Sequence, residues 1–570
     1  MKKNLLNVFR MLFTLLLLLS VTGNLFAQRM QVTGKIMDEA KSTIPGASVM
    51  IKGTTVGVSS QTDGTFSIAV QKGQILVFRS VGYVSQEVTV GTQTVLSVML
   101  KNDAQTLGEV VVTALGIKKD VRKIGYATQE VKGADLVKAR EPNAINSLVG
   151  KVAGLTVGGS AEMLGRPQLV LRGSTDLLFV VDGVPVNSDT WNISADDIET
   201  YTVLKGPNAA ALYGSRGQNG AILVTTKKGS KDDRGFTVDF NSSTMIESGF
   251  VALPETQSEY GYGNDYKYAY GNDLYDLDGS YRRTNIWGPK FDGQGVAQYN
   301  SPIDPVTGKR TLTPWTAKGV DNFENFMETG ILSTNNVSVG ASGEKYDMRA
   351  SVTHTYQKGM SPNTKLNIDN FAISAGYKFS DKFRIDGSLN FNSQYTPNIP
   401  DVSYGPNSYV YQFKVYGSAN WALDEVADYW GGDRGKKDLV QNFVEYGRHN
   451  NPFFTANEWL HSHNKTDING YAKISYKVND HLNFQARTQI TTWNQLRTEK
   501  VPPSTNLNQY VNDYYFNKTG GIYNIWYGDY REDRRNLMEH NHDILVNFNQ
   551  KVGDFLDISG SAGGNLRTFE

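Results

Sequence analysis

"ADDIETYTVLKGPNAAALYGSRGQNGAILVTTKKG", residues 195–229, is the stretch on which the fold turns. "TYTVL" and "AILVTT" are β-branched runs short enough to be buried strands. Between them the residues read as a Gly-Pro turn, an Ala-rich helical turn and a glycine-rich turn. Asp196 and Asp197 are expected to cap a short helix running to Tyr201. Gly214, Gly217 and Gly220 raise the question of a phosphate cradle. They stand in the wrong order relative to strand and helix, and no Walker lysine follows, so that reading is set aside.

Working upstream, "LVLRGSTDLLFVVDGVPVNS" (169–188) reads as a buried strand, a tight Asp182-Gly183 turn and a second strand. "NAINSLVGKVAGLTV" (143–157) opens with a short helical pattern, Ala144 to Val149, that Gly150 ends. Further back, residues 31–101 contain short alternating strands, "VTGKIMD", "ASVMIKGT", "GTFSIAV" and "ILVFRSVGY", with turn signals at Pro45-Gly46 and Asp63-Gly64. This is the pattern of a small β-sandwich. The first 27 residues have a basic start (Lys2, Lys3, Arg10), a short apolar run from Met11 to Leu19 and a cleavage-like Ala27-Gln28. They read as a secretory signal peptide.

Downstream of Lys231 the alternation becomes strict. In "KYDMRASVTHTY", Tyr346, Met348, Ala350 and Val352 share one face and Lys345, Asp347, Arg349 and Ser351 the other. In "FRIDGSLNFNSQY", Phe383, Ile385, Leu389, Phe391 and Tyr395 oppose Arg384, Asp386, Asn390 and Gln394. A soluble sandwich also alternates, so the connections decide. Strands are expected at 236–246, 333–342, 345–358, 365–379, 382–396, 465–478, 481–496, 538–551 and 555–569. The links "GE", "SD", "ND" and "VGD" are tiny, whereas those after the first, fifth and seventh strands run to tens of residues; the link after the third is a short exception. Short turns on one side and long loops on the other mark an outer-membrane barrel. The strand count is odd, whereas a single-chain bacterial barrel has an even number of strands. The sequence is therefore expected to be the N-terminal part of a longer protein.

Composition agrees. The 570 residues carry 57 basic and 57 acidic side chains, so no net charge points to nucleic acid. There is no cysteine, hence no disulfide and no thiolate chemistry. Mean hydropathy is −0.39, too polar for a bundle of membrane helices. Glycine (56) and tyrosine (30) are abundant, as strands and turns require.

Two resemblances follow. "VTGKIMD…IPGASVMIKGTTVGVSSQTDGTFSI…VGY" resembles the carboxypeptidase regulatory-like domain, a transthyretin-like sandwich. That family's common acidic residue two places before the Asp-Gly turn is Gln61 here. "LRG", "VVDGVPV" and "IETYTVLKGPNAAALYGSRGQNGAILVTTKKG" resemble the plug domain of TonB-dependent outer-membrane receptors. The order regulatory-like domain, Val-rich strand, plug is that of the SusC/RagA branch. The expected fold is mainly β: a signal peptide (1–27), a β-sandwich (28–101), a linker (102–120), an α+β plug (121–230) and part of a large antiparallel transmembrane β-barrel (231–570). The sandwich is read as a spacer.

The resemblance implies a TonB-dependent importer of a bulky nutrient, a glycan or an oligopeptide. Its partners would be the TonB-ExbB-ExbD complex, a SusD-like surface lipoprotein and outer-membrane lipid. It implies no enzyme activity and no cofactor, and no H-x-x-E zinc motif is present. Alternatives are a siderophore or cobalamin receptor, or a non-transporting adhesin or signalling receptor. "EVVVTALG", with Glu109, Val110, Val111, Val112, Thr113, Ala114, Leu115 and Gly116, resembles the TonB box. An extended segment of this kind offers backbone groups to a partner's sheet edge, and Glu109, Lys118, Lys119 and Asp120 keep it soluble.

For cargo, "YGYGNDYKYAYGNDLYDLDG" is the loop to inspect. Tyr262 and Tyr270 can stack on sugar faces, and Asn264, Asp265, Asn272 and Asp273 can bond hydroxyls. The same residues equally suit a solvated loop. His461/His463 and His540/His542 are i,i+2 pairs on strand faces and lack a third ligand for metal. "NEWLHSHN" is expected to supply girdle and rim residues at a membrane interface.

Overall fold

A computed structural model describes residues 30–570 except 102–109, 113–117, 121–127, 138–142, 187–192, 230–234, 250–254, 269–286, 403–407, 431–440, 442–449, 506–524 and scattered gaps of up to three residues. The signal peptide lies outside the described residues. The chain divides into two compact units: residues 1–111 with 118–125, and residues 112–117 with 126–570.

The first unit holds a sandwich. Thr65–Val70, Met30–Asp38 and Val95–Leu100 form a three-stranded sheet in that order. Gly57–Ser59, Ser48–Ile51, Ile75–Arg79 and Gln86–Thr89 form a four-stranded one. Alternate residues turn inward, so Val32, Ile36, Val49, Phe66, Phe78 and Val98 make a dry core. Phe66 and Phe78 meet edge to face at 5.3 Å. The Asp-Gly turn forms as read: Gly64 takes φ 79°, and Asp63 Oδ1 accepts the Thr65 N–H at 3.0 Å.

In the second unit, the plug region has a five-stranded mixed sheet. Its order is Thr128–Lys132, Ile198–Leu204, Ala221–Thr226, Leu178–Val181 and Val184–Val186. The last two strands join through Asp182 (φ 47°) and Gly183 (φ 85°), the paired left-handed residues that a two-residue hairpin needs. One expectation is corrected here. Asp196 and Asp197 lie within a short 3₁₀ turn, Ala195–Asp197, whose cap is Ser194. No helix runs to Tyr201, which is fully buried in the strand Ile198–Leu204. Tyr201, Val203 and Ile198 on one face, and Leu204 on the other, are worth more packed in a central strand than on a helix end.

The barrel region is a nine-stranded antiparallel meander: Gly235–Glu247, Gly330–Ser342, Tyr346–Lys358, Lys365–Lys378, Phe383–Thr396, Leu460–Lys477, Leu482–Val501, Asp529–Val552 and Leu556–Phe569. Each pairs with the next in the chain, and among the described residues the first and ninth strands do not pair with each other. The nine expected strands are the nine observed. The second begins three residues early, at Gly330, and three others reach further still on the long-loop side, to Leu460, Val501 and Asp529. The last three extensions, "LHSHN", "RTEKV" and "DYREDRRNL", lack a continuous apolar face, so periodicity misses them. Cross-strand pairing carries the ladder on, with Glu499 opposite both His461 and Arg531.

Candidate functional site

The sheet is inside-out relative to a soluble sandwich. Its outer face is apolar and exposed: Val352, Phe371, Ile373, Leu389, Ile474 and Val546 all face away from the plug side. Its inner face is polar and buried: Asn336, Ser351, Asp386, Asp467, Gln489 and Glu539 are each less than 8% exposed. In water an exposed apolar band of this extent is unfavourable; in lipid it is required. Among the described residues no helix is long and apolar enough to cross a membrane.

What the polar face holds is the plug. Arg349 donates to Asp197 Oδ1 at 2.7 Å, and Ser351 Oγ donates to the same oxygen at 2.5 Å. Arg349 and Asp197 side chains are only 10% and 3% exposed, so the pair is desolvated. Next to it, Thr353 Oγ1 donates to Ser194 Oγ at 3.1 Å. Strand alternation places Arg349, Ser351 and Thr353 on one inward row, and the Ala195–Asp197 turn presents to that row.

A second clamp sits at the Asp182-Gly183 turn. Arg487 donates through Nη1 to Asp182 O (2.8 Å) and through Nη2 to Gly183 O (3.1 Å). The same guanidinium is held by Asp543 Oδ2 at 2.7 and 3.0 Å from the next strand. Asp182 in turn accepts the Thr226 N–H (3.0 Å) and hydroxyl (2.7 Å), which ties the turn to the plug sheet. A third contact is Lys228 to the Tyr471 hydroxyl at 2.9 Å, with the ammonium 5.6 Å from the ring centroid. Gly229 is needed where it stands: a Cβ there would lie 2.6 Å from Met348 N. Burial and the nearby Arg349 lower the Lys227 ammonium pKa, and burial alone pushes the Tyr201 phenol above its ordinary value.

Of the residues singled out from sequence, Val110–Val112 form an extended strand, as read. The segment is not bare, however. It pairs with Lys118–Asp120 in a two-stranded sheet, which no third strand joins among the described residues. The backbone of Lys118–Asp120 thus takes one edge of Val110–Val112, a local answer to the hazard of an open strand. Glu109, Thr113, Ala114, Leu115 and Gly116 lie outside the described residues.

In the long loop after the first barrel strand, Tyr262 is half-buried and its N–H donates to Asn420 Oδ1 at 2.9 Å. Gly263-Asn264 pairs with Lys267-Tyr268 as a minimal hairpin. The Asn264 side chain, Asp265, Tyr270, Asn272 and Asp273 lie outside the described residues. The rings that do assemble are others: Tyr260 lies 5.7 Å from Trp287 and 6.1 Å from Tyr266, and Tyr268 meets Trp315 edge to face at 5.1 Å.

The girdle reading of "NEWLHSHN" is corrected. Trp459 is buried and donates to Glu499 Oε1 at 2.7 Å, while His461 Nε2 lies 3.3 Å from the same oxygen. Asn457 to Asn464 begins in a helix end and turns inward, so the tryptophan packs on Phe454 and Val501 rather than on lipid. His540 and His542 stack at 6.4 Å, and no group of three or more metal-ligating side chains gathers among the described residues. Sequence reasoning missed Asp197, Asp182, Arg487 and Lys228 as joining residues. Inward-facing arginines on alternating strands were visible, but their plug partners sit more than a hundred positions away.

Residues 32–112 match the CarboxypepD_reg-like domain model, and residues 120–221 match the TonB-dependent Receptor Plug Domain model. The TonB-dependent receptor SusC of Bacteroides thetaiotaomicron is 31% identical over 370 residues, 62% of this chain and 32% of SusC. TonB-dependent receptor P39 of Formosa agariphila is 37% identical over 254 residues, 43% of this chain and 24% of P39. The chain thus spans about a third or less of these curated relatives' length. Among solved structures, the RagAB peptide importer in its open-open state superposes with a TM-score of 0.59 at 16% identity, covering 80% of this chain and 48% of that one. That likeness is one of fold. The relatives are named as receptors and a transporter, including the vitamin B12 transporter BtuB of Vibrio vulnificus, and not as enzymes.

Proposed function

We propose, from the premise that this chain is a homologue of the SusC-type TonB-dependent receptors, that it is the plug-bearing part of an outer-membrane active importer. The cargo is a bulky nutrient, a glycan or an oligopeptide. A SusD-like lipoprotein works with it as a lid, and the TonB complex supplies the pull. The division into signal peptide (1–27), sandwich (28–101), TonB-box linker (102–120), plug (121–230) and barrel (231–570) belongs to the same reading.

The observation that carries it is the mode of attachment of plug to wall. Among the described residues the polar inner face holds the plug by charged clamps, Arg349–Asp197 and Arg487 on the Asp182-Gly183 carbonyls, and no apolar core cluster joins the two. Charged contacts of this kind release when water enters, whereas a dry hydrophobic interface resists partial opening. A pull on an extended segment just upstream of the plug has something to move. The Val110–Val112 strand supports the handle: it is extended, and the partner strand described beside it is three residues long. Backbone addition to a partner's sheet edge needs no more.

The test is deletion of Leu107–Gly116 in the protein expressed in its own outer membrane. Barrel assembly, read by heat-modifiable migration, should be normal, and energised accumulation of radiolabelled cargo should be abolished. Normal uptake by the deletion would sink the proposal.

A further inference from the structure

At the long-loop end of the sixth, seventh and eighth barrel strands, a cavity of about 370 Å³ opens between the wall and Leu164 of the plug region. Two inward rows cross it. In one, Arg497 lies opposite His463 and Asp533; in the other, Glu499 lies opposite His461 and Arg531. All six side chains line the cavity, with Arg535 beside them.

Three acids line the cavity, Asp401, Glu499 and Asp533, and each is already engaged. Asp533 Oδ2 holds Arg535 at 2.7 Å, and Glu499 Oε1 takes the Trp459 N–H and faces His461. Arg497 and Arg531 lie within electrostatic reach of Asp533, and Arg531 also of Glu499, but among the described residues neither guanidinium forms a side-chain hydrogen bond or a direct ion pair, and both are exposed to the cavity. His463, only 3% exposed and also on the wall, has its Nε2 without a partner. A guanidinium presents donors in a planar fork matched to a carboxylate, and a pair of them left over in a recess is an unmet demand for an anion. A buried imidazole nitrogen without a partner makes the same demand for a polar group.

We infer that this cavity is a carboxylate subsite for the cargo, gripped by Arg497 and Arg531 and backed by His463. The inference rests on the importer reading, which it narrows to acidic cargo; the carboxylate could come from a uronate sugar or from an acidic peptide. Leu164 gives the subsite one wall from the plug region, so a group bound there touches the part that must move.

The test is isothermal titration of the full chain in detergent micelles at low salt, with no TonB present. Oligogalacturonate and triglutamate are the acidic probes; maltotriose and triglutamine are their neutral counterparts. At least one acidic probe should bind about tenfold or more tightly than its counterpart, and Arg497→Gln and Arg531→Gln should each erase about that factor. Arg534→Gln is the control: it points to the other face, paired with Glu532, and should change nothing. Binding of oligogalacturonate alone assigns the carboxylate to sugar, and of triglutamate alone to peptide. Equal affinity for acidic and neutral probes, no binding of either acidic probe, or full affinity in both glutamine variants with normal migration would overturn the subsite. Uptake of a neutral cargo by the same protein would leave the transport proposal standing.

Discussion

Asp197 shows how much one residue can do across a large molecule. Its Oδ1 accepts from both Arg349 and Ser351, and its backbone carbonyl accepts the Lys227 N–H at 2.8 Å. Nothing in "SADDIET" distinguishes it from Asp196, and as a helix cap the two would be equivalent. The difference arises because the 3₁₀ turn aims Asp197 at the barrel wall. Removing it leaves a desolvated guanidinium without its counter-charge. Asp197→Ala should therefore weaken the plug's attachment by about 3–5 kcal/mol. Urea-dependent protease access to the plug region is the measurement, and an unchanged midpoint would show that the pair contributes nothing. Replacing both partners together, Asp197→Leu with Arg349→Met, should cost much less, since no buried charge is stranded.

At the scale of the strand, one-residue alternation decides what each side chain meets. Ile373 lies opposite Ala350 and Leu389 on the outer face, while its neighbour Ser374 turns inward toward Lys227 O. Ile373→Arg should cost about 2–4 kcal/mol in lipid, the penalty for a cation near the midplane of a barrel. Folding into vesicles followed by urea titration reads it, and a loss well under 1 kcal/mol would place the strand outside the hydrocarbon layer. The strict alternation of "KYDMRASVTHTY" made this face legible in the sequence. The extensions at 460–464, 497–501 and 529–537 were not legible, because both faces there are polar and the ladder is held by its neighbours instead.

For the whole molecule, two cores with no shared residues stabilise two units. Phe78 is fully buried in the sandwich core, against Phe66. Phe78→Ala should cost the sandwich about 3–5 kcal/mol, enough to open residues 30–101 to protease. The heat-modifiable migration of the barrel should not shift. A parallel loss of barrel stability would show that the two units fold as one.

What the sequence determined by itself is local and periodic. The period-two pattern of the barrel strands, the Asp63-Gly64 and Asp182-Gly183 turns, the valine-rich extended segment and the short buried strands of the plug all follow from side-chain alternation and from φ values that few residues tolerate. Tertiary structure alone decided three things: which charged residues face each other, that Trp459 turns inward rather than to lipid, and that Arg497 and Arg531 meet in one recess. The reason is physical. Alternation and turn propensity act over a few bonds, whereas an ion pair between residues 152 positions apart exists only once the wall has curved around the plug. A desolvated charge has no sequence pattern of its own; it acquires its partner from the fold.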